Sequence, residues 1–187
     1  MIPQGINQEA YYKLFTEEFL SSREETAFDK YTRLNIKRSE RWFKRLKLEE
    51  EVETYFSTIN SAEKWVIISE PWCGDAAHSL PVIQQLANCN PLIETTYVLR
   101  DENKEYMNQF LTNGGMSIPI INVYNAQNEL QFSWGPRPSK LQALFLSNKE
   151  KGISKDESTL QLQTWYNKDK GQSTVAEFTA KHKKSRM

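Results

Sequence analysis

Apolar positions recur along the chain with two different spacings, and the change of spacing divides the chain into three parts. In residues 1–58 and 148–187 the apolar side chains return at the spacing of amphipathic helices. Between them, in residues 59–147, short apolar runs alternate with further helical stretches. The pattern predicts an α/β core over 59–147, with an N-terminal helical extension over 1–58 and a C-terminal helical extension over 148–187.

The predicted core contains strands and helices in the order β-α-β-α-β-β-α. The strands are predicted over residues 65–69, 93–99, 118–124 and 129–134, and the helices over 74–88, 103–112 and 138–148. Two strands joined through a helix form a parallel pair with a right-handed crossover, whereas two strands joined by a tight turn are antiparallel. The order therefore predicts a central mixed sheet covered by helices.

The two extensions are predicted to be helical apart from short connections. Helices are expected over residues 7–20, 24–46, 49–59, 158–169 and 172–184. In the longest of them, the residues expected to face inward are Phe28, Tyr31, Leu34, Phe43 and Leu46. The same predicted helix carries a basic stripe that consists of Arg33, Lys37, Arg41 and Arg45. This stripe is either a solvated helix face or a contact surface for an acidic partner or nucleic acid. Residues 181–186 are expected to form a solvated, frayed basic tail.

The composition and charge of the chain limit the kinds of function that it can have. The chain has 187 residues, 39% of them hydrophobic, which is enough to bury a core. Its 24 basic and 24 acidic residues cancel, so no global charge favours binding to nucleic acid or to an anionic membrane surface. No apolar run approaches membrane length, and charged residues interrupt the first twenty positions, unlike a secretory leader. We therefore expect a cytoplasmic protein without a nucleic-acid or membrane partner.

One cysteine lies where chemistry is expected. Cys73 follows the predicted strand 65–69 and directly precedes the predicted helix 74–88. A helix N-terminus offers unpaired N–H groups and a partial positive charge, which favour a thiolate. We therefore expect the pKa of Cys73 to lie below the free-cysteine value of roughly 8.5, although the nearby Asp75 opposes this shift by like-charge repulsion.

The second cysteine is not a disulfide partner for the first. Cys89 lies sixteen residues after Cys73 on the same predicted helix, which separates them by about 24 Å at ~1.5 Å per residue. A disulfide requires Cα atoms within roughly 7 Å of each other. We therefore expect no intrachain disulfide, and Cys89 is expected to be a small structural residue at the helix end.

Four segments in a fixed order give the chain a family resemblance. They are Trp72-Cys73-Gly74 before a helix, Pro81 within that helix, Ile118-Pro119 at the start of a strand, and Gly135 after the last strand. This set resembles the thioredoxin-like superfamily. The resemblance implies an active-site turn at Cys73, a cis Pro119 lying against that cysteine, and Gly135 closing the third side of the site. It spans about residues 59–147 and implies a thioredoxin-like fold.

Two motifs make the resemblance more specific. The turn is spelled Trp-Cys-Gly-Asp-Ala at 72–76, and the last strand ends in Trp-Gly-Pro-Arg-Pro at 134–138. Both spellings are similar to those of a bacterial branch of the superfamily.

Three positions depart from the pattern of that superfamily. Ala76 occupies the position of the second, resolving cysteine, Ile67 that of a buried acidic residue, and Asp75 that of a proline. The implied fold survives these changes, but dithiol–disulfide exchange does not. A mixed disulfide at Cys73 would need an external thiol to resolve it. Glutathione is one candidate, although Glu70 places negative charge near the site and disfavours an acidic tripeptide.

Charged side chains near Cys73 have alternative interpretations. Asp75 either caps the helix N-terminus or acts as an acid or base near the sulfur, and His78, one turn further on, is placed to hydrogen-bond to it. Arg137 either pairs with Asp75, holds a substrate carboxylate, or has no role at the surface. A metal site is not expected, because one cysteine, one aspartate and one histidine supply too few ligands.

The resemblance also places apolar and backbone groups around Cys73. Trp72 and Trp134 are expected to flank the site as an apolar platform. Ile118, just before Pro119, is expected to present edge backbone groups that can pair with an extended peptide.

Two functions are compatible with these residues. The first is a monothiol thiol–disulfide oxidoreductase or redox-responsive protein in cell redox homeostasis, with Cys73 as the catalytic residue. Its partners would be thiols or disulfides of proteins or small molecules, with no cofactor. The alternative is a non-catalytic thioredoxin-fold module that binds a peptide or protein. The reactivity of Cys73 separates the two. The sequence does not indicate the oligomeric state, and the extensions either form a dimer interface or wrap the core.

Overall fold

The structure, a computed structural model, describes residues 1–187. Its helices are α1 (Gln8–Lys13), α2 (Glu17–Ser21), α3 (Asp29–Arg45), α4 (Glu50–Ser57), α5 (Gly74–Asn88), α6 (Lys104–Met107), α7 (Ser139–Glu150), α8 (Lys155–Asp169) and α9 (Gln172–Ser185). Its strands are β1 (Glu63–Ser69), β2 (Ile93–Leu99), β3 (Ile120–Asn125) and β4 (Leu130–Trp134). The predicted α/β class and the order of the core elements are confirmed.

The four strands form one mixed sheet in the order β2-β1-β3-β4. Strand β1 pairs with β2 in parallel and with β3 antiparallel, so that Ile67 lies between Tyr97 and Ile121. Strands β3 and β4 form the predicted antiparallel hairpin. The end of β1, from Trp65 to Ser69, is fully buried, which explains its nearly continuous apolar sequence. The predicted central mixed sheet is confirmed.

Both extensions contribute side chains to the core beneath this sheet. Tyr11 and Phe15 from the N-terminal extension and Phe178 from α9 belong to the same buried cluster as the strands. The ring of Tyr11 stacks on Tyr97 of β2 at a centroid distance of 4.4 Å. Helix α5 packs against β2 and is surrounded by α3, α4 and α9. The extensions therefore wrap the core, which was one of the two arrangements expected from the sequence.

Some helices are shorter than the apolar spacing predicts. The predicted helix 7–20 is divided into α1 and α2, because Thr16 accepts a hydrogen bond from the Phe19 N–H and starts a new helix. The predicted helix 103–112 ends at Met107, and turns follow it up to the left-handed Asn113 and Gly114. The predicted bounds of α5 and β2 match the structure, since both carry strong apolar patterns.

The prediction of the inward face of α3 is wrong in its first half. Phe28, Tyr31 and Leu34 are 49%, 42% and 44% exposed. The buried face instead carries mostly polar residues, among them Asn35 and Ser39. These side chains donate hydrogen bonds to the carbonyls of Pro71 and Ala77, at 3.0 and 3.4 Å, so this face of the helix binds backbone instead of packing as an apolar stripe.

The basic segments are also tied to the rest of the protein. In the stripe of α3, Arg33 pairs with Glu17 and Glu25, and Arg41 donates to Asn167. The prediction of a frayed tail over 181–186 is wrong. Helix α9 continues to Ser185, and the fully buried His182 lies 2.8 Å from the Glu63 carboxylate. Arg186 pairs with the second oxygen of the same carboxylate at 2.6 Å.

The helices were also compared with the dimensions of a bilayer. None of them combines the length and the apolar character needed to cross a membrane.

Candidate functional site

Cys73 is the N-cap residue of α5, as its position in the sequence predicts. Its Sγ accepts a hydrogen bond from the Ala76 N–H at 3.5 Å and donates one to the Ile118 carbonyl at 3.3 Å. The residue is only 7% exposed and forms part of the main hydrophobic core. Both cysteines are free thiols, as expected. The sulfur is thus held between the helix terminus and the loop that precedes β3.

The prediction of a depressed pKa at Cys73 is wrong. Burial raises the pKa of the Cys73 thiol to about 12, and the Asp75 carboxylate raises it further. The Ala76 N–H and the Arg137 guanidinium act in the opposite direction but are outweighed. The helix terminus and the local charges, which the sequence shows, affect this pKa less than the loss of solvent around the sulfur. Cys73 is therefore a neutral thiol at neutral pH.

The loop facing Cys73 is closed by a glycine that no other residue can replace without strain. The Ile118–Pro119 and Gly135–Pro136 peptide bonds are both cis. Gly135 has φ +125°, and a Cβ built there would lie 2.1 Å from the Pro119 carbonyl oxygen. The backbones at Gly135 and Pro119 therefore approach each other as closely as a residue without a side chain allows.

Asp75 and Arg137 form an ion pair, which was one of the three alternatives for Arg137. The Arg137 Nη2 lies 2.7 Å from Asp75 Oδ2, and the two side chains are only 11% and 14% exposed. Tyr166 of α8 donates its hydroxyl to Asp75 Oδ1 at 2.9 Å, and Arg137 donates a second bond to Gln142 at 3.0 Å. Burial raises the pKa of Asp75, while the guanidinium and the Tyr166 hydroxyl act to lower it. Asp75 therefore links the active-site turn to the C-terminal extension, and Cys73, not Asp75, caps α5.

His78 does not bind Asp75, contrary to the prediction. Its Nδ1 accepts a hydrogen bond from the Trp42 indole N–H at 2.9 Å, and its ring stacks on Tyr166 at a centroid distance of 4.3 Å. Burial and the positive charges of Arg38 and Arg41 lower the pKa of His78 to about 3. The imidazole is therefore neutral at physiological pH, with its proton on Nε2.

This neutral histidine predicts a loss of stability in acid. The pKa of His78 in the folded protein is far below its value of about 6.5 in the unfolded chain. At a pH between these two pKa values the unfolded chain binds a proton that the folded protein does not. The free energy of unfolding therefore decreases as the pH falls. At pH 5 the His78 contribution should be about 2 kcal/mol less favourable than at pH 7. Urea unfolding at both pH values measures the difference in stability. In the His78→Gln variant, the part of this difference that comes from His78 should be absent. The same pH dependence in both proteins would contradict the assignment.

The predicted pair of flanking tryptophans is only half present. Trp134 is buried in the core near Phe178, so it does not reach the surface. Trp72 is half-buried and lies between the ring of Phe28, stacked at 4.9 Å, and the guanidinium of Arg100, at 4.8 Å. The apolar surface beside Cys73 is therefore formed by Trp72 with the start of α3, and not by two tryptophans.

Three residues that the sequence did not single out for the site complete it. Asn35 and Ser39 of α3 bind the backbone of the turn and of α5, and Tyr166 of α8 binds Asp75. No pattern near Cys73 identifies them, because Asn35 and Ser39 come from α3 and Tyr166 from α8, both far from the turn in the sequence. The spacing of Asn35, Ser39 and Trp42 on one helix face is the single signal in the sequence, and it indicates a buried polar face.

Comparisons with known proteins agree with this fold. A 1.5 Å crystal structure of PA1234, a protein of unknown function from Pseudomonas aeruginosa, matches with a TM-score of 0.68 at 15% identity, covering 97% of this chain and 93% of that one. An HIV epitope-scaffold matches with a TM-score of 0.66 at 15% identity, covering 96% and 93%. At this identity the two structures show a shared fold alone. The comparison with curated proteins gave no match.

The sequence model of a family described as Thioredoxin matches residues 22–159, well over half of the chain. The match includes the turn at Cys73, the whole sheet and the loop at Gly135. Together with the mixed sheet and the position of Cys73 at the start of α5, it identifies the chain as a member of the thioredoxin family.

Proposed function

We propose that the protein is a thioredoxin-fold module that binds an extended polypeptide segment beside the turn at Cys73 and does not catalyse disulfide exchange. The observation that carries this proposal is the state of Cys73. Its thiol is buried, hydrogen-bonded to the Ile118 carbonyl and neutral at physiological pH, and Ala76 stands where a resolving thiol would be needed. A buried neutral thiol is a poor nucleophile.

An exposed apolar surface next to the turn supports binding. We call it the aromatic strip, and it consists of Phe28, Trp72, Arg100 and Met116. Phe28 stacks on Trp72, the Arg100 guanidinium lies over the Trp72 ring, and Arg100 donates to the Met116 carbonyl at 3.2 Å. Phe28 and Met116 are 49% and 40% exposed. Aromatic and arginine side chains of this kind are enriched in the centres of protein interfaces.

Backbone groups beside this strip are available for pairing. Neither Ser117 nor Ile118 takes part in a backbone–backbone hydrogen bond, and the only bond to the Ile118 carbonyl comes from the Cys73 thiol. Ser117 is half-buried and Ile118 only 5% exposed, so an extended peptide would add its backbone hydrogen bonds at Ser117 first, while its apolar side chains contact Trp72. This mode requires no chemistry at the sulfur.

The proposal is tested with peptides selected from a random library displayed on phage. The affinity of a selected peptide is measured by fluorescence anisotropy for the unchanged protein and for Trp72→Ala. We expect Trp72→Ala to weaken binding about tenfold or more, which corresponds to about 1.4 kcal/mol. Leu160→Ala is the matched control, because Leu160 is an exposed apolar residue outside the strip. Failure to select any binding peptide, or equal affinity for Trp72→Ala, would contradict the proposal.

A second candidate function is that of a monothiol oxidoreductase or redox-responsive protein, and the N-cap position of Cys73 against the Pro119 loop favours it. In this reaction the Cys73 thiolate attacks a partner disulfide, one sulfur of the partner forms a bond to Cys73, and the other leaves as a thiolate. The thiolate of an external thiol then attacks the partner's sulfur, forms a disulfide with the partner, and releases Cys73 as a thiolate. Because Cys73 is buried, the site would have to open first. The dependence of Cys73 alkylation on pH separates this function from the first.

A further inference from the structure

A cavity of about 410 Å³ lies on the other side of the α5 N-terminus, between α5 and the C-terminal extension. Its walls include Asp75 and His78 from α5, Arg137 from the loop after β4, Phe145 from α7 and Tyr166 from α8. Its volume is within the range of roughly 300–1,000 Å³ that small-molecule sites occupy. A larger cleft, of about 1000 Å³, lies at the first five residues and includes none of the predicted site residues.

The charge of this cavity is positive. Lys149 and Lys155 line it as exposed side chains, and neither ammonium group is in an ion pair. Asp75 is the only carboxylate in the lining, and its charge is already balanced by Arg137. The two lysines therefore remain as uncompensated positive charges at a concave, partly apolar surface.

Two buried donors of the cavity walls have no partner. His78 is 3% exposed, and because its Nδ1 accepts from Trp42, its Nε2 carries the proton, yet this atom makes no hydrogen bond. The Nε–H of Arg137 is also buried without a partner, although both terminal nitrogens of the guanidinium are bonded. A buried donor without an acceptor costs roughly 1–3 kcal/mol, so an oxygen acceptor placed here would be favourable.

We propose that this cavity binds a small organic anion, with a carboxylate or phosphate group held by Lys149 and Lys155 and an apolar part lying against Phe145 and Leu162. The unpartnered donors of His78 and Arg137 are buried in the same walls, so an oxygen of the ligand would reach them only after these side chains shift. The site lies apart from the aromatic strip, so the inference goes beyond the proposed function and does not depend on it.

The inference is tested by calorimetric titration with four probes: phenyl phosphate, benzoate, benzyl alcohol and inorganic phosphate. We expect saturable binding of phenyl phosphate or benzoate, and binding of benzyl alcohol and inorganic phosphate weaker by about tenfold or more. Tighter binding of phenyl phosphate would indicate a phosphate ester as the ligand class, and tighter binding of benzoate a carboxylate. The ¹⁵N resonance of His78 Nε2 should shift on binding.

Two pairs of lysine variants locate the site. The double variant with Lys149→Gln and Lys155→Gln should bind the aromatic anion more weakly than the unchanged protein, by about tenfold or more. Lys140→Gln with Lys184→Gln removes the same charge from exposed positions outside the cavity and should leave binding unchanged. The inference is overturned if neither aromatic anion binds saturably, if the neutral alcohol binds equally well, or if both pairs of variants have the same effect.

Discussion

Gly135→Ala should destabilise the protein by about 3 kcal/mol or more, because the new methyl group would meet backbone and not a movable side chain. A Cβ at this position would lie 2.1 Å from the Pro119 carbonyl oxygen and 3.3 Å from the Ile120 Cα. The φ of +125° is also a conformation that side chains disfavour. Relief would require Gly135 and Pro119 to separate, which would disturb the loop against which the Cys73 thiol is bound.

The effect is measured as the shift in the urea midpoint at an unchanged slope of the unfolding free energy with denaturant. Gly152→Ala is the matched control. Gly152 also has a positive φ, of +67°, but a Cβ there would meet nothing within 4 Å. This control should lose only about 1–2 kcal/mol, the cost of a left-handed conformation. Equal losses in the two variants would show that the close approach at Pro119 does not constrain the fold.

Arg137→Ala should also destabilise the protein by about 3 kcal/mol, because it leaves the Asp75 carboxylate buried without its cation. The Tyr166 hydroxyl would then be the sole hydrogen-bond donor to this carboxylate. The matched control is Arg33→Ala, whose partners Glu17 and Glu25 are well exposed. An exposed pair of this kind contributes about 1 kcal/mol or less, so the control should change the stability little.

The stability loss caused by Arg137→Ala should change with pH in a defined direction. Burial raises the pKa of Asp75, and removing Arg137 removes the largest opposing effect. A carboxyl whose folded-state pKa lies above its unfolded value binds more protons in the folded state, so its contribution becomes more favourable as the pH falls. The loss caused by Arg137→Ala, measured by urea unfolding, should therefore shrink from pH 7 towards pH 4. A loss that stays constant or grows would contradict a buried unpaired carboxylate.

The parts of the structure that could be predicted from sequence depend on neighbouring residues. Helix α5 and strand β2 have the predicted bounds because their apolar positions recur with one clear period. Placing the loop at Gly135 against the turn also brought Arg137 near Asp75 and made their pairing one of the expected alternatives, which the structure shows. The local apolar pattern and the fixed order of the motifs are enough to predict these features.

The parts that could not be predicted depend on contacts between distant segments. The buried face of α3 is polar because Asn35 and Ser39 bind backbone carbonyls more than thirty residues away, and apolar spacing cannot reveal such partners. Tyr166 lies 91 positions from the Asp75 it binds. The burial of Cys73 likewise results from packing in the whole core, which outweighs the local effect of the helix terminus on its pKa.

The most direct test of the account is the rate of alkylation of Cys73 by iodoacetamide as a function of pH, in a protein carrying Cys89→Ser. If the thiol is protected, the alkylation rate of Cys73 at neutral pH should be far below that of an unstructured cysteine peptide. The plot of this rate against pH should show no inflection at or below about pH 8.5. Unfolding in urea should restore the rate of the peptide. An inflection below that value in the folded protein, with a rate equal to or above that of the peptide, would contradict the account and favour the monothiol oxidoreductase.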